Sequence, residues 1–127
     1  MRYYDKITPD GTRDLLFDEY TRRQELTGRL TAQFASRGYR QVRTPALEFY
    51  DVFGSAAAHF SQESMYKLSD TQGRLMVLRP DCTIPIARLA ATRLTGMPLP
   101  LRLYYCQHVY RVQHNLRGRA SEIYQTG

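Results

Sequence analysis

Residues 74–94 read RLMVLRPDCTIPIARLAATRL and change from a strand pattern to a helix pattern within a few positions. Arg74–Arg79 is a strand-like run, and the turn Asp70–Gly73 joins it to a second strand-like run, Met65–Ser69; a glycine at the end of such a turn is typical of a hairpin. From about Thr83 to Leu94 small and apolar residues recur at helical spacing, and a proline in the first turn is compatible with a helix. This stretch therefore predicts a hairpin followed directly by a helix.

The residues N-terminal to this stretch predict one long helix and one short strand. A helical pattern with a broad apolar face runs from about Leu15 to Arg37. Gly38 suits the left-handed backbone position that commonly ends a helix. A strand-like stretch follows from Tyr39 to Thr44 and is stopped by Pro45. The small and polar segment over residues 54–64 is typical of a loop.

The residues C-terminal to it predict three more strands. They are Leu101–Tyr105, His108–Gln113 and Ser121–Gln125, with a basic loop over Asn115–Arg119 between the last two. Helices and hairpins in this order predict one α+β domain over residues 1–127, with an antiparallel sheet flanked by helices. A sheet whose last strand ends the chain would leave an unpaired edge. We therefore expect the sequence to be the front part of a longer protein.

Composition excludes several classes of protein. The chain has 127 residues, of which 43% are hydrophobic and 24% charged, so it is globular rather than disordered. No apolar run approaches the roughly 20 residues that a membrane span needs, and the N-terminus lacks the apolar region of a secretory signal. Two cysteines, Cys82 and Cys106, are too few for a disulfide framework. We expect a reduced, cytoplasmic protein.

The charge is positive and almost all of it comes from arginine. There are 18 basic and 12 acidic residues, and only Lys6 and Lys67 are lysine. Genomic drift explains such a bias without any function. Alternatively, guanidinium groups bind carboxylates and phosphates through two parallel hydrogen bonds, and a high isoelectric point is compatible with RNA contact. Composition alone does not choose between these interpretations.

Neither the histidines nor the basic loop carries a specific motif. The histidines are His59, His108 and His114, and because they lack metal-ligand spacing we expect surface or structural roles and no metal site. Arginines flank the predicted loop at Arg111, Arg117 and Arg119. Such a loop could close over a polyphosphate, but its spacing alone favours a solvated hairpin tip.

The junction Arg79–Thr83 has two interpretations. Asp81 or Thr83 could cap the following helix, because short polar side chains accept hydrogen bonds from the first N–H groups of a helix. Alternatively, a carboxylate and a hydroxyl at the end of a strand could receive the ammonium group of a ligand. The pattern alone favours the cap.

The same residues resemble a known family of enzymes and related proteins. Arg37–Leu47 looks like motif 1 of the class II aminoacyl-tRNA synthetases, and Tyr110–Arg111 followed by a loop and Ile123 looks like motif 2. More narrowly, three segments resemble histidyl-tRNA synthetase and its relatives: Gly11–Leu16, Leu78–Thr83 and Leu103–Tyr105. The resemblance covers roughly residues 7–127, with the motifs in the family's order. Motif 3 of the family would lie beyond Gly127.

Within this family the chain resembles the synthetase-like regulatory subunits of ATP phosphoribosyltransferase. Their sequences typically read RPD-x-T-x-PIAR-x-AATRL where this chain has residues 79–94. The synthetase usually has glutamate at the position of Asp81 and glycine at that of Cys82. The resemblance implies a non-catalytic protein without a cofactor. It would activate the short-form catalytic subunit in the first step of histidine biosynthesis and could relay feedback by histidine.

The resemblance also assigns roles to individual residues. They are Asp81, Thr83 and Gln125 for a histidine-like ligand; Arg111 and Gln113 for a nucleotide; and Tyr39, Val42 and Pro45 for a two-fold contact in a homodimer. Two positions depart from the synthetase: Gln113 replaces a glutamate that seats adenine, and Ser121 replaces an arginine that faces the phosphates. These departures argue against adenylate formation and tRNA charging. Histidyl-tRNA synthetase itself and a stand-alone synthetase-like binding module are the alternatives.

Overall fold

A computed structural model describes residues 3–54, 60–114 and 118–127 of the chain. Its helices are α1 (Phe17–Ser36), α2 (Asp51–Gly54) and α3 (Thr83–Arg93). Its strands are β1 (Arg40–Gln41), β2 (Leu47–Phe49), β3 (Lys67–Ser69), β4 (Leu75–Leu78), β5 (Leu103–Tyr104), β6 (Cys106–Tyr110) and β7 (Glu122–Thr126). Two short 3-10 turns cover Tyr4–Lys6 and Gln62–Ser64. Within the described residues no helix is both long and apolar enough to cross a membrane.

The described strands form three small sheets. β3 and β4 make the predicted hairpin, and β2 pairs with the other edge of β4, all antiparallel. β6 and β7 form a second antiparallel hairpin, in which Gln107 lies opposite Gln125. β1 and β5 form a parallel pair, with Arg40 opposite Leu103. The α+β class with antiparallel pairing is confirmed, and β1 with β5 adds a parallel pair that the sequence did not indicate.

Element boundaries differ from the prediction mainly in the strands. The predicted strand Tyr39–Thr44 is reduced to β1, and Leu101–Tyr105 is reduced to β5, because only two residues of each segment pair with each other. β6 begins at Cys106 and ends at Tyr110, and after it the backbone of Arg111 still bonds Ser121. Gly54 of the predicted loop 54–64 ends α2. Residues 55–59, including His59, and 115–117 of the basic loop lie outside the described residues.

The apolar core lies between the β2–β4–β3 sheet and the helices α2 and α3. Phe53, Met65 and Val77 are buried and contact partly buried side chains around them. By contrast, none of the residues of α1 is buried. Its C-terminal end is held by Phe34, whose ring stacks on Tyr104 with ring centroids 5.3 Å apart.

A buried arginine joins three segments that are distant in sequence. Arg79, at the end of β4, is 5% exposed. Its Nε donates to the carbonyl oxygen of His108 at 2.5 Å, and its Nη1 donates to that of Thr44 at 2.8 Å. The Arg79 backbone donates to Ala46 and accepts from Tyr110. One residue therefore fixes the segment after β1, the end of β4 and β6 in a single arrangement.

A pair of hydrogen bonds between Gln107 and Thr44 reinforces this arrangement. The Gln107 side chain accepts from the backbone N–H of Thr44 at 3.1 Å and donates to the Thr44 hydroxyl at 3.0 Å. Both residues are buried. Because buried polar groups must be hydrogen-bonded, these complementary contacts favour one position of Thr44 over any other.

The turn at Gly11 packs directly on the start of β7. Gly11 has a left-handed backbone, with φ of +78°, and its carbonyl accepts from the backbone N–H of Ser121 at 2.8 Å. A Cβ atom at Gly11 would lie 2.2 Å from the Ser121 Oγ. Only glycine fits this position, and the neighbouring side chain must also be small.

We predict that Arg79→Ala lowers the free energy of unfolding by about 3 kcal/mol, since it leaves two buried carbonyl groups without their charged donor. Urea unfolding of the purified protein measures the change. Arg43→Ala is the control: Arg43 is exposed, and we expect its loss to matter by less than about 0.5 kcal/mol. Equal effects of the two substitutions would contradict a structural role for Arg79.

Candidate ligand site

Asp81 lies where the chain leaves β4 and enters α3. Its Oδ2 accepts from the backbone N–H groups of Thr83 at 2.9 Å and Ile84 at 3.1 Å. Cys82, which directly precedes the helix, supplies no capping bond of its own. Of the two residues predicted as possible caps of α3, Asp81 therefore makes the capping bonds. Its other oxygen, Oδ1, accepts no hydrogen bond from any residue that the structure describes, and the Thr83 side chain is exposed.

Tyr105, which directly precedes β6, contacts Gln125. The Tyr105 hydroxyl donates to the Gln125 Oε1 at 3.4 Å. Burial raises the pKa of Tyr105, and the neighbouring Cys82 and Asp81 side chains raise it further. Within the described residues no hydrogen bond joins Asp81 to Tyr105 or Gln125. A phenol, an amide and a carboxylate oxygen are suitable partners for a ligand ammonium group.

Cys82 lies in the same region but offers no reactive thiolate. It is fully buried, and burial raises the pKa of its thiol, against the opposing effects of Gln107, Arg79 and Arg111. A thiol with a raised pKa stays protonated at neutral pH and is a poor nucleophile. Cys82 therefore fills space beside Asp81 rather than providing chemistry.

Arg111 lies next to this region and is tethered at two points. Its Nε donates to the Pro80 carbonyl at 3.0 Å, and its backbone N–H donates to the Ser121 carbonyl at 2.9 Å. Among the described residues no carboxylate forms an ion pair with Arg111. A half-buried guanidinium without an acidic partner is suited to an anionic ligand group, such as a carboxylate or phosphate.

Gln113 and Ser121 are engaged in contacts within the hairpin. The Gln113 Nε2 donates to the Ala120 carbonyl at 3.3 Å. Ser121 is 3% exposed and lies against Gly11, so the longer side chain of an arginine would not fit there in this arrangement. Of the other predicted loop arginines, Arg117 lies outside the described residues, and Arg119 is exposed.

A cleft of about 730 Å³ lies between residues 11–15, α1 and the β6–β7 hairpin. Its walls include Arg119 and the rings of His108 and Tyr124, whose centroids are 5.0 Å apart. None of the five predicted ligand residues lines it. His108 is half-buried and packs edge-on against Tyr124, and His114 is exposed. Within the described part of the chain no group of three His, Cys, Asp or Glu side chains could hold a metal ion.

The three predicted interface residues differ in exposure. Tyr39 is half-buried and packs edge-on against Phe34, with ring centroids 5.6 Å apart. Val42 is also half-buried, and its backbone N–H donates to Tyr104 at 3.0 Å. Only Pro45 is exposed. The homodimer contact stays a prediction.

The residues that hold the region together are not apparent from the sequence. Arg79 stands out only as part of a motif, and no motif includes Gln107. Each bonds a segment at least 29 residues away, so no local pattern identifies its partner. The one local feature that favours burial of Arg79 is its position between an apolar strand and a proline.

The sequence of the chain is similar to those of known proteins. Residues 11–127 match the family described as histidyl-tRNA synthetase. An ATP phosphoribosyltransferase regulatory subunit of Clostridium acetobutylicum is 47% identical over 96% of this chain and 30% of its own length. That of Clostridium kluyveri is 43% identical over the whole chain and 32% of its own length. The chain thus spans about a third or less of these relatives.

Solved structures show the same relationship. The crystal structure of an ATP phosphoribosyltransferase regulatory subunit/histidyl-tRNA synthetase from Bacillus halodurans superposes with a TM-score of 0.86 at 35% identity, covering 99% of this chain and 32% of that one. The apo histidyl-tRNA synthetase of S. aureus gives 0.71 at 27% identity, covering 83% and 29%. The expected class II synthetase fold and the resemblance to the regulatory subunits are confirmed.

We predict that Asp81→Ala lowers the free energy of unfolding by about 1 kcal/mol, because the first N–H groups of α3 lose their acceptor. Asp81→Asn should cost much less, since asparagine is also a good capping residue. Thermal unfolding of both variants beside the wild type measures this difference. Equal losses would mean that the charge, rather than the cap, stabilises the helix.

Proposed function

The chain belongs to the histidyl-tRNA synthetase family, and we propose that it is part of a regulatory subunit of ATP phosphoribosyltransferase. The observation that carries this proposal is the identity of 42–47% to proteins named as such subunits, over nearly the whole chain. The S. aureus synthetase is more distant, at 27%. In this role the protein does not transfer the phosphoribosyl group itself but activates a separate short-form catalytic subunit.

The geometry of the β6–β7 hairpin supports a non-catalytic role. Gln113 and Ser121 occupy positions at which the synthetase, by resemblance, directs charged groups toward ATP. Here the Gln113 amide bonds the Ala120 carbonyl, and Ser121 is buried against Gly11. Each lost charged contact is of a kind worth about 1.5–3 kcal/mol. Arg111 keeps the cationic group that the resemblance expects at its position, and its guanidinium suits an anionic ligand group.

The assembly follows from the same proposal. The protein would act in the cytoplasm as a homodimer within a hetero-oligomer with the catalytic subunit, and it would not bind tRNA. A two-fold contact uses the same residues of both copies. We place the two-fold contact around the exposed Pro45, with the half-buried Tyr39 and Val42 packing beneath this segment.

The region around Asp81 would bind histidine as a feedback signal. Asp81 Oδ1, the Thr83 hydroxyl and Gln125 would receive its ammonium group, and Arg111 its carboxylate. Because Oδ2 is already occupied by the cap of α3, one oxygen is available for the ligand. An aspartate is also one methylene shorter than the glutamate of the synthetase. Both features favour a looser site, which suits a sensor.

We predict that the full-length protein activates a purified short-form catalytic subunit in a phosphoribosyltransferase assay and does not catalyse histidine-dependent exchange between pyrophosphate and ATP. The reason is that the hairpin lacks two ATP-facing charges. Robust exchange would restore the synthetase alternative. If the protein shows neither activation nor exchange, that result would favour the stand-alone binding module.

We also predict that Asp81→Asn weakens histidine binding by roughly 10- to 100-fold, which corresponds to the loss of one charged acceptor. Isothermal titration calorimetry on the full-length protein measures it. Asp18→Asn removes the same charge from an exposed position of α1 and should leave binding unchanged. If both variants bind histidine like the wild type, Asp81 is only the cap of α3.

A further inference from the structure

The turn over residues 8–12, which precedes α1, is bonded to the start of β7. We call it the Gly11 turn. The carbonyl oxygen of Gly11 accepts from the backbone N–H of Ser121 at 2.8 Å and from that of Glu122 at 3.5 Å. Ser121 directly precedes β7, and Glu122 is its first residue. The Gly11 turn therefore fixes the position at which β7 begins.

The Gly11 turn is closed by hydrogen bonds of its own. The backbone N–H and the hydroxyl of Thr12 both donate to the Pro9 carbonyl, at 3.1 and 2.6 Å. The Thr8 hydroxyl donates to the Thr12 carbonyl at 3.0 Å. The ring of Pro9 also restricts its backbone. Because these constraints lie within the turn itself, it presents the Gly11 carbonyl in one orientation.

The contact at Ser121 continues to the candidate ligand site. The Ser121 carbonyl accepts from the backbone N–H of Arg111 at 2.9 Å. The Nε of Arg111 donates to the carbonyl of Pro80, the residue before Asp81, at 3.0 Å. A series of hydrogen bonds therefore runs from Gly11 through Ser121 and Arg111 to Pro80.

The contact between Gly11 and Ser121 leaves no room for a side chain. A Cβ atom at Gly11 would lie 2.2 Å from the Ser121 Oγ and 2.7 Å from the Ser121 backbone nitrogen. Both distances are well below van der Waals contact, so either the turn or Ser121 would have to move. Ser121 is 3% exposed and bonds Arg111 directly. A displacement of Ser121 is therefore passed to the backbone of Arg111.

We propose that the Gly11 turn positions Arg111, so that its guanidinium can receive the carboxylate of the ligand. This inference rests on the proposed function for the ligand, histidine, and for the role of Arg111. Gly11 is a positioning residue, because it acts through Ser121 and not on the ligand. A guanidinium binds a carboxylate through two parallel hydrogen bonds whose strength depends on its orientation. The contact with the carboxylate is therefore sensitive to the size of residue 11.

The test compares the binding of two ligands by the full-length protein. Histidinol has an alcohol where histidine has a carboxylate, and it keeps the ammonium group and the imidazole ring. Gly11→Ala should weaken histidine binding by about tenfold and histidinol binding by less than about twofold, because only histidine uses the charge of Arg111. Isothermal titration calorimetry measures both affinities. A merely structural role of Gly11 would weaken the binding of both ligands equally.

Gly73→Ala is the matched control. Gly73 also has a left-handed backbone, with φ of +77° beside +78° at Gly11. A Cβ atom at Gly73, however, would meet no described atom within 4 Å. The two variants therefore share the strain of the backbone and differ in the collision with Ser121. Gly73→Ala should bind both ligands like the wild type.

A double variant tests whether Gly11 acts through Arg111. Arg111→Gln should lose the preference for histidine over histidinol, since it removes the charge that the carboxylate meets. Gly11→Ala added to Arg111→Gln should then leave this preference unchanged, because the residue through which Gly11 acts is already gone. A further loss of the preference in the double variant would contradict this route.

Hydrogen exchange tests the positioning without any ligand. In Gly11→Ala the backbone N–H groups of Ser121 and Arg111 should exchange faster than in the wild type, and in Gly73→Ala they should not. If Gly11→Ala fails to fold, Gly11→Asn takes its place, with Gly73→Asn as its control. Asparagine tolerates a left-handed backbone better than alanine and still carries the colliding Cβ atom.

Three results would overturn the inference. They are equal weakening of the two ligands by Gly11→Ala, unchanged binding of histidine, and unchanged hydrogen exchange at Arg111. Failure of the proposed function is distinguishable, because the wild type would then bind no histidine. Hydrogen exchange at Arg111 in Gly11→Ala would in that case decide the positioning by itself: faster exchange supports it, and unchanged exchange overturns it.

Discussion

The burial of the Arg79 guanidinium is the constraint on which the arrangement of this domain depends. A buried cation must find hydrogen-bond acceptors, because leaving it unsatisfied costs several kcal/mol. Here the acceptors are the carbonyl groups of Thr44 and His108, which belong to segments far apart in the sequence. Neither acceptor is charged, so the geometry of the backbone, rather than an ion pair, satisfies the arginine. The three segments are fixed together as a consequence.

This constraint also positions the candidate ligand site. Asp81 follows Arg79 by two residues, and Arg111 bonds the intervening Pro80. Gln107 fixes Thr44 from the neighbouring strand. The side chains of the candidate ligand site are therefore supported by buried contacts, which is the arrangement that a preorganised site requires. The same support would serve an enzyme or a sensor, so the fold does not decide the function.

In the proposed function, the difference between an enzyme and a sensor lies in a few side chains on the β6–β7 hairpin. Gln113 and Ser121, which by resemblance replace charged residues of the synthetases, make internal contacts there. Gly11 and Ser121 approach so closely that a Cβ atom at Gly11 would collide with Ser121.

The sequence by itself determined α1, α3, the two hairpins, a cap of α3 at Asp81 or Thr83, and the family, because periodicity, turn glycines and contiguous motifs are local signals. Only the tertiary structure decided the parallel pairing of β1 with β5, the burial of Arg79 and the contact between Gly11 and Ser121. These contacts join residues separated by 29 or more positions. Their formation depends on how the whole chain packs, and no local pattern of residues records which distant carbonyl or strand edge a side chain will meet.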